Sequence, residues 1–260
     1  MSLLVELTGP VAFVTLNRPE IHNAFNGTLV DELKSTFTQL GEDSAVRVVV
    51  LGGAGKSFCA GADLDWMRGS LNAGEEENLQ NAMHMASMYE TIDSCPKPVL
   101  ARIQGAAIGG GCGLAAVCDV VIAGPKARFA LSEVRLGMAP AVISPYVVRK
   151  IGKSHARHLF LTGERIDATR AYQIGLVHAV AANDLELDAF VIETTERLLK
   201  GGPNAQAECK TLGRFADDYN DGGATTAAVI ARLRVSEEGQ EGMRAFLEKR
   251  PANWLGNNEE

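Results

Sequence analysis

The apolar positions of the chain predict strands alternating with helices in the first two thirds and helices alone afterwards. Four short apolar runs have little polar alternation, which is typical of strands covered on both faces of a sheet. These runs lie at residues 11–16, 46–51, 120–123 and from Val99 onward. Between the first two, Leu29, Leu33, Phe37 and Leu40 recur at helical spacing. The pattern therefore predicts an α/β fold.

The segments after these strands predict mainly helices. The polar residues 69–80 suggest a mobile surface segment that leads into a helix ending near Asp93. Helix signals begin again after Pro145, with Gly163 as the C-cap of one helix and Asp167 at the start of the next.

No strand signal appears beyond Asp184. An amphipathic helix is predicted at 185–200, followed by helical stretches to about 217 and from about 224 to 250. We therefore divide the chain into a core, residues 1–200, and a C-terminal helical region, residues 201–260. This region carries apolar positions that a small subdomain cannot bury alone, which favours an oligomer: Leu233, Met243, Phe246 and Leu247.

Two loops rich in small residues follow predicted strands and are the candidates for chemistry. One spans residues 52–64, and the other contains Gly109, Gly110 and Gly111. Backbone N–H groups at a helix start lack intrahelical partners and can hold negative charge. The Walker and dinucleotide-binding patterns do not match, because Cys112 and Leu114 occupy positions that those motifs require to be other residues. From the residues alone, an anion site and simple close packing of helix on sheet both remain open.

Composition narrows the function classes. The chain has 260 residues, 46% hydrophobic and 22% charged, with a formal charge of −7. This acidic balance argues against a nucleic-acid partner, and no apolar run approaches the length of a membrane span. Five cysteines without a CxxC pair and no signal peptide predict a reduced, cytoplasmic protein. Cys59 and Cys112 lie at the two small-residue loops, so a thiol nucleophile is an alternative. The spacing of the histidines matches no metal-binding motif, so we predict no metal site.

A series of motifs runs through nearly the whole chain in a specific order. It comprises Asn17-Arg18-Pro19, Asn23-Ala24, Phe58 to Leu64, Lys97-Pro98, Gly109 to Cys112, Cys118-Asp119, Ser132-Glu133-Val134, Leu136-Gly137, Leu161-Thr162-Gly163, Glu241-Gly242-Met243 and Phe246 to Arg250. Their order and spacing resemble the crotonase family, the enoyl-CoA hydratase/isomerase superfamily. The resemblance implies a spiral of ββα units with a C-terminal helical region that builds a homotrimer, often paired as a hexamer.

The resemblance also implies roles for individual residues. The backbone N–H groups of Ala62 and Gly110 would form an oxyanion hole for the thioester carbonyl of an acyl-CoA, and Glu133 would be the acid–base group. The implied coenzyme A contacts are Ala24, Ala60, Gly61, Asp63, Leu64 and Lys249. Further basic candidates for the anionic groups of coenzyme A are Arg18, Lys56 and Arg68, although exposed arginines are often merely solvated. No cofactor is implied besides the coenzyme A of the substrate.

One departure from the family pattern concerns the reaction. Hydratases of the family usually carry two glutamates, and here the first position is Gly113 while the second is Glu133. Isomerases and some lyases use one carboxylate. However, residues 132–137 and 140–146, together with Gly113 itself, are similar to a bacterial subgroup usually assigned as methylglutaconyl-CoA hydratases. We therefore predict an enoyl-CoA hydratase, with an enoyl-CoA isomerase, an acyl-CoA hydrolase and a non-catalytic acyl-CoA-binding protein as alternatives.

Overall fold

The computed structural model describes residues 1–218 and 220–255. The strands are β1 (Leu3–Thr8), β2 (Val11–Leu16), β3 (Val48–Gly53), β4 (Val99–Ile103), β5 (Ala106–Ile108), β6 (Val120–Ala123), β7 (Arg128–Ala130), β8 (Arg165–Asp167) and β9 (Ala179–Val180). The helices are α1 (Gly27–Glu42), α2 (Leu64–Ser70), α3 (Glu75–Ser94), α4 (Gly110–Val117), α5 (Ser144–Thr162), α6 (Ala168–Gln173), α7 (Asp184–Leu199), α8 (Pro203–Arg214), α9 (Ala224–Val235) and α10 (Glu237–Glu248). The predicted α/β class is confirmed.

The strands form two sheets that the chain visits in turn. The larger sheet has the order β1-β2-β3-β4-β6-β9, antiparallel between β1 and β2 and parallel elsewhere. The smaller sheet has the order β5-β7-β8. Twice in succession, one strand enters the larger sheet, the next enters the smaller sheet, and a helix follows: β4-β5-α4 and β6-β7-α5. This repeat is the predicted ββα unit.

Local signals explain the elements that were predicted. Residues 48–51 of β3 are buried, as expected for a parallel strand covered on both faces. Asn26 caps α1 by accepting a 2.9 Å hydrogen bond from the N–H of Leu29. Gly163 ends α5 with a φ of 56°, and the Asp167 side chain caps α6. These elements follow from periodicity and capping chemistry.

Two expectations about helix boundaries were wrong. The polar segment 69–80 is mostly helical, because it contains the end of α2 and the start of α3. Three glutamates, residues 75–77, occupy the first turn of α3, where the helix dipole favours negative charge. The helix after the glycines begins at Gly110 rather than beyond them, so Gly110 and Gly111 form its first turn.

The C-terminal region is helical, as predicted. Residues 224–248 form two helices, separated at Ser236, whose side chain caps α10, so the helical prediction to residue 250 ends two residues late. Helix α10 packs against α8 and α9. Phe246 and Leu247 are exposed, so the expected oligomer stays a prediction. Residues 219 and 256–260 of the predicted region lie outside the described residues. Among the residues described, no helix is long and apolar enough to cross a membrane.

Candidate active site

A parallel β-bridge joins the two small-residue loops. The bridge pairs Cys59 with Ala107, and the Cys59 carbonyl accepts a 2.9 Å hydrogen bond from the N–H of Ile108. Each predicted oxyanion donor, Ala62 and Gly110, follows its bridged residue by three positions. The structure therefore places the two predicted donors on loops that lie side by side.

The bridge also explains why glycines occupy both loops. A Cβ on Gly111 would lie 2.2 Å from the Cys59 carbonyl oxygen. Gly61 has a φ of +94°, and a Cβ there would lie 3.0 Å from the Ile108 carbonyl oxygen. Glycine is therefore required for the backbones to approach. The sequence left close packing and an anion site as alternatives for these glycines. Gly61 and Gly111 do allow close packing, and this packing also aligns the two loops.

The two predicted donor amides have no protein acceptor. Gly110 is the first residue of α4, so its N–H has no partner within the helix. In the part of the chain that the structure describes, neither this N–H nor that of Ala62 donates a hydrogen bond. Two such amides at a helix N-terminus can stabilise an oxygen that gains negative charge during a reaction.

A buried asparagine fastens the segment before α1 to the first loop. Asn23 is fully buried, and its Nδ2 donates to the carbonyl oxygens of Ala54 (2.9 Å), Ser57 (2.9 Å) and Phe58 (3.1 Å). Its Oδ1 accepts a 2.8 Å hydrogen bond from the N–H of Arg18. Asn23 has a φ of +58°, an unfavourable conformation that these four hydrogen bonds offset.

Arg18 connects two of the predicted coenzyme A contacts. Its guanidinium donates to the Ala24 carbonyl and to the Asp63 carboxylate, both at 2.8 Å. The Asp63 side chain also accepts from the N–H of Asp65, which caps α2. This backbone hydrogen bond is the main reason for the lowered pKa of Asp63, and Arg18 lowers it further. Arg18 is therefore a paired residue that shapes the loop rather than a solvated cation.

The other predicted contacts in the first loop lie beside these residues. The Ala60 N–H donates a 3.0 Å hydrogen bond to the His22 carbonyl. The Gly61 carbonyl accepts a 2.7 Å hydrogen bond from the Phe25 N–H. Leu64 begins α2 and is 69% exposed, which leaves it free to contact a ligand.

The predicted basic contacts are spread over the surface. Lys56 is exposed at the first loop, and Arg68 forms an exposed ion pair with Asp65. Lys249 lies at the end of α10, and no hydrogen bond or ion pair joins its side chain to the loops within residues 1–218 and 220–255. A role for Lys249 in binding coenzyme A stays a prediction.

Glu133 lies against the glycine turn. It begins a 3-10 turn, Glu133–Leu136, and its Oε1 lies 3.1 Å from where a Cβ on Gly109 would be. Its Oε2 is buried and has no hydrogen-bond partner among the described residues. Burial raises the pKa of this carboxyl, and a bond to its own backbone N–H partly opposes the shift. A raised pKa lies closer to neutral pH, where a carboxyl group can both accept and give up a proton, as general acid–base catalysis requires.

The position of the first family glutamate is closed. A Cβ on Gly113 would lie 2.3 Å from Ile143 Cγ2 and 3.1 Å from Tyr89 Cε1. Real carbon atoms rest at about 3.5–4.0 Å from one another. A carboxylate side chain at residue 113 would therefore displace Ile143, and Glu133 is the single carboxylate among the predicted catalytic residues Ala62, Gly110 and Glu133.

The thiol alternative is not supported. Cys59 and Cys112 are both fully buried, and desolvation raises the pKa of each to about 12. A thiol with such a pKa stays protonated and is a poor nucleophile. No group of metal-ligating side chains is found within the described ranges.

Sequence reasoning missed three residues that line the site. Phe25 directly follows the Asn23-Ala24 motif, Tyr89 comes from α3, and Ile143 precedes α5. Each is buried and apolar or aromatic, so each has the same sequence signal as an ordinary core residue.

Comparison with known proteins agrees with this geometry. The family described as enoyl-CoA hydratase/isomerase matches residues 6–257. A 2,3-dehydroadipyl-CoA hydratase from Escherichia coli is 33% identical over 259 residues, covering 98% of each chain.

Two solved structures share the whole fold. An enoyl-CoA hydratase from Shewanella pealeana has a TM-score of 0.93 at 40% identity, covering 98% of this chain and 96% of its own. An enoyl-CoA hydratase/isomerase from Marinobacter aquaeolei has a TM-score of 0.92 at 37% identity, covering 98% and 99%. The chain belongs to the enoyl-CoA hydratase/isomerase family, within the crotonase superfamily.

Proposed function

We propose that this protein hydrates a 2-enoyl-CoA thioester, using Glu133 as its acid–base group. The observation that carries the proposal is the unpaired, half-buried Glu133 carboxyl beside the glycine turn, with the free amides of Ala62 and Gly110 on the bridged loops. These are the groups needed to stabilise an enolate-like oxygen and to exchange a proton nearby.

The proposed reaction adds water across the carbon–carbon double bond. The thioester oxygen accepts hydrogen bonds from Ala62 and Gly110, which strengthen as it gains negative charge. The oxygen of water bonds to the β carbon as the water loses one proton, and one proton is added to the α carbon, so that OH and H are added overall. Glu133 supplies or accepts the transferred proton. No cofactor is needed besides the coenzyme A of the substrate.

The names of relatives support a hydratase and suggest a class of acyl group. The Escherichia coli relative is named as a hydratase of dehydroadipyl-CoA, whose acyl chain ends in a carboxyl group. We propose a carboxylated enoyl-CoA, branched as in 3-methylglutaconyl-CoA, as the substrate. The similarity of residues 132–137 to the methylglutaconyl-CoA hydratase subgroup points in the same direction.

An enoyl-CoA isomerase is the second candidate. Ile143 closes the space at Gly113, so Glu133 has no second carboxylate to share the handling of a water. A single carboxylate is sufficient to move a proton between two carbons of a bound acyl chain.

Turnover in ¹⁸O-labelled water distinguishes the candidates. The substrate panel contains linear, branched and carboxylated 2-enoyl-CoA thioesters. We expect mass spectrometry to show that at least one of them gains ¹⁸O at the β carbon. Conversion of a 3-enoyl to a 2-enoyl thioester without label, with no hydration of any 2-enoyl thioester, would establish the isomerase instead. Release of free thiol would indicate a hydrolase, and binding without any turnover would indicate a non-catalytic protein.

A further inference from the structure

A buried tyrosine touches the residue that carries one of the two donor amides. Tyr89 lies in α3 and is fully buried. Its hydroxyl donates a 2.8 Å hydrogen bond to the carbonyl oxygen of Gly110. Helix α3 lies outside the β4-β5-α4 unit, so this bond ties α3 to the first turn of α4. A tyrosine hydroxyl in a core normally finds a partner, but here the partner is part of the catalytic loop.

A second aromatic residue completes the contact around Gly110. A Cβ on Gly110 would lie 2.9 Å from the Tyr89 hydroxyl and 3.0 Å from Phe25 Cε2. The two rings pack edge to face, with centroids 6.4 Å apart. Phe25 is in turn paired through its backbone with Ala62, the other donor. The aromatic pair therefore bridges the backbone segments of both donors.

We propose that Tyr89 is a positioning residue for the oxyanion hole. Its hydroxyl holds the Gly110 carbonyl, in the peptide that follows Gly110, and so restrains φ and ψ of Gly110, which orient the preceding peptide and its N–H toward the thioester oxygen. The inference rests on the proposed function, because it assigns Tyr89 a role through the Gly110 amide. Glycine is free to rotate about φ and ψ, and Gly110 is preceded by Gly109, with a φ of +53°. The Gly109 carbonyl, which shares a peptide with the Gly110 N–H, accepts a 3.1 Å hydrogen bond from the Gly113 N–H, and Tyr89 holds the next peptide along the chain.

The hydroxyl is suited to this task at all working pH values. Burial raises the pKa of Tyr89 well above 10, and nearby Cys59 and Glu133 raise it further. The group therefore stays a neutral donor. Because the bond joins two groups of the protein itself, the donor direction costs no reorganisation during the reaction.

Tyr89→Phe removes the hydroxyl and keeps the ring. Loss of a complete oxyanion donor costs about 10²–10³ in kcat, and loss of its alignment should cost less. We expect kcat to fall about tenfold or more, with a nearly unchanged KM, because the alignment matters most in the transition state. Tyr172→Phe, on the exposed surface of α6, is the matched control and should leave both constants unchanged.

Isotope-edited infrared spectroscopy separates positioning from a purely structural role. The probe is crotonyl-CoA with ¹³C at the thioester carbonyl, bound to Glu133→Gln so that it is not consumed. We expect the carbonyl band to move to lower frequency in this variant, and to lose at least half of that shift when Tyr89→Phe is added. Circular dichroism should show the same fold in both proteins.

The outcomes distinguish the inference from the function on which it rests. A full carbonyl shift in the double variant, or an unchanged kcat in Tyr89→Phe, would refute the positioning role and leave the proposed reaction intact. No shift in Glu133→Gln itself would refute the oxyanion site, and the role of Tyr89 with it.

Discussion

Gly113→Ala tests whether the position of the first family glutamate is closed. The added Cβ would lie 2.3 Å from Ile143 Cγ2 and 3.0 Å from Ile143 Cβ. The distance to Cγ2 is more than 1 Å shorter than the usual carbon–carbon contact of about 3.5–4.0 Å. Overpacking of this kind costs about 1–3 kcal/mol, whereas alanine gains about 1 kcal/mol over glycine in a helix. The cost of overpacking equals or exceeds the gain in helix propensity, so we expect Gly113→Ala to lower the free energy of unfolding by up to about 2 kcal/mol.

Thermal unfolding measures this loss. For a domain of this size, each 1 kcal/mol lowers the unfolding temperature by about 2–4 °C, so we expect a decrease of up to about 8 °C. Gly213→Ala in α8 is the control, because no atom lies within 4 Å of a Cβ there, and it should be neutral or stabilising.

Ile143 variants identify the cause. Ile143→Ala removes the clashing Cγ2, whereas Ile143→Val keeps a γ-methyl group on each branch. The double variant Gly113→Ala/Ile143→Ala should lose less unfolding free energy than the sum of the two single variants. The double variant Gly113→Ala/Ile143→Val should lose about the sum of its two single variants. A Gly113→Ala protein more stable than both the wild type and Gly213→Ala would refute the closed position.

Two further predictions concern Glu133 and assembly. Glu133→Gln should lower turnover about 10²–10⁴-fold, since general acid–base catalysis is lost, while affinity for the acyl-CoA stays similar in a direct titration. Because burial raises the pKa of Glu133, the folded state favours the protonated acid, and this carboxyl destabilises the fold increasingly as pH rises above 4.5. Glu133→Gln should therefore raise the unfolding temperature more at pH 7 than at pH 4.5. An equal increase at the two pH values would contradict the raised pKa of Glu133. Light scattering should show a trimer or hexamer, because Phe246 and Leu247 are exposed on α10; a monomer at micromolar concentration would contradict this.

Local chemistry made part of the fold predictable. Residues 48–51 of β3 are a continuous run of valine and leucine, and Gly163 and Asp167 are cap residues at helix ends, so periodicity and capping identified these elements. β1 escaped notice because it is an edge strand with mostly exposed residues and no clear buried face. The strands β5, β7 and β8 have only three residues each, and their pairing with distant segments is what stabilises them.

The site was predictable only where a motif identified a residue type. Ala62, Gly110 and Glu133 followed from a resemblance, since two small residues and one acid carry no specific signal alone. Arg18 has no sequence feature that separates a solvated arginine from one paired with Asp63, which lies 45 positions away. Tyr89 was equally hidden, because its hydroxyl meets Gly110 across 21 positions. Contacts of this kind depend on how the ββα units stack, which local pattern does not encode.

The site combines unsatisfied groups with an unusually well-satisfied support. The amides of Ala62 and Gly110 and the Glu133 Oε2 lack partners within the part of the chain that is described. The buried Glu133 Oε2 costs the folded state free energy because it has lost water without gaining a hydrogen-bond partner. Asn23, by contrast, makes four hydrogen bonds from a single buried side chain. In the proposed reaction this rigid support keeps the Ala62 and Gly110 amides in place, so that a bound thioester oxygen would supply the acceptor that both amides lack.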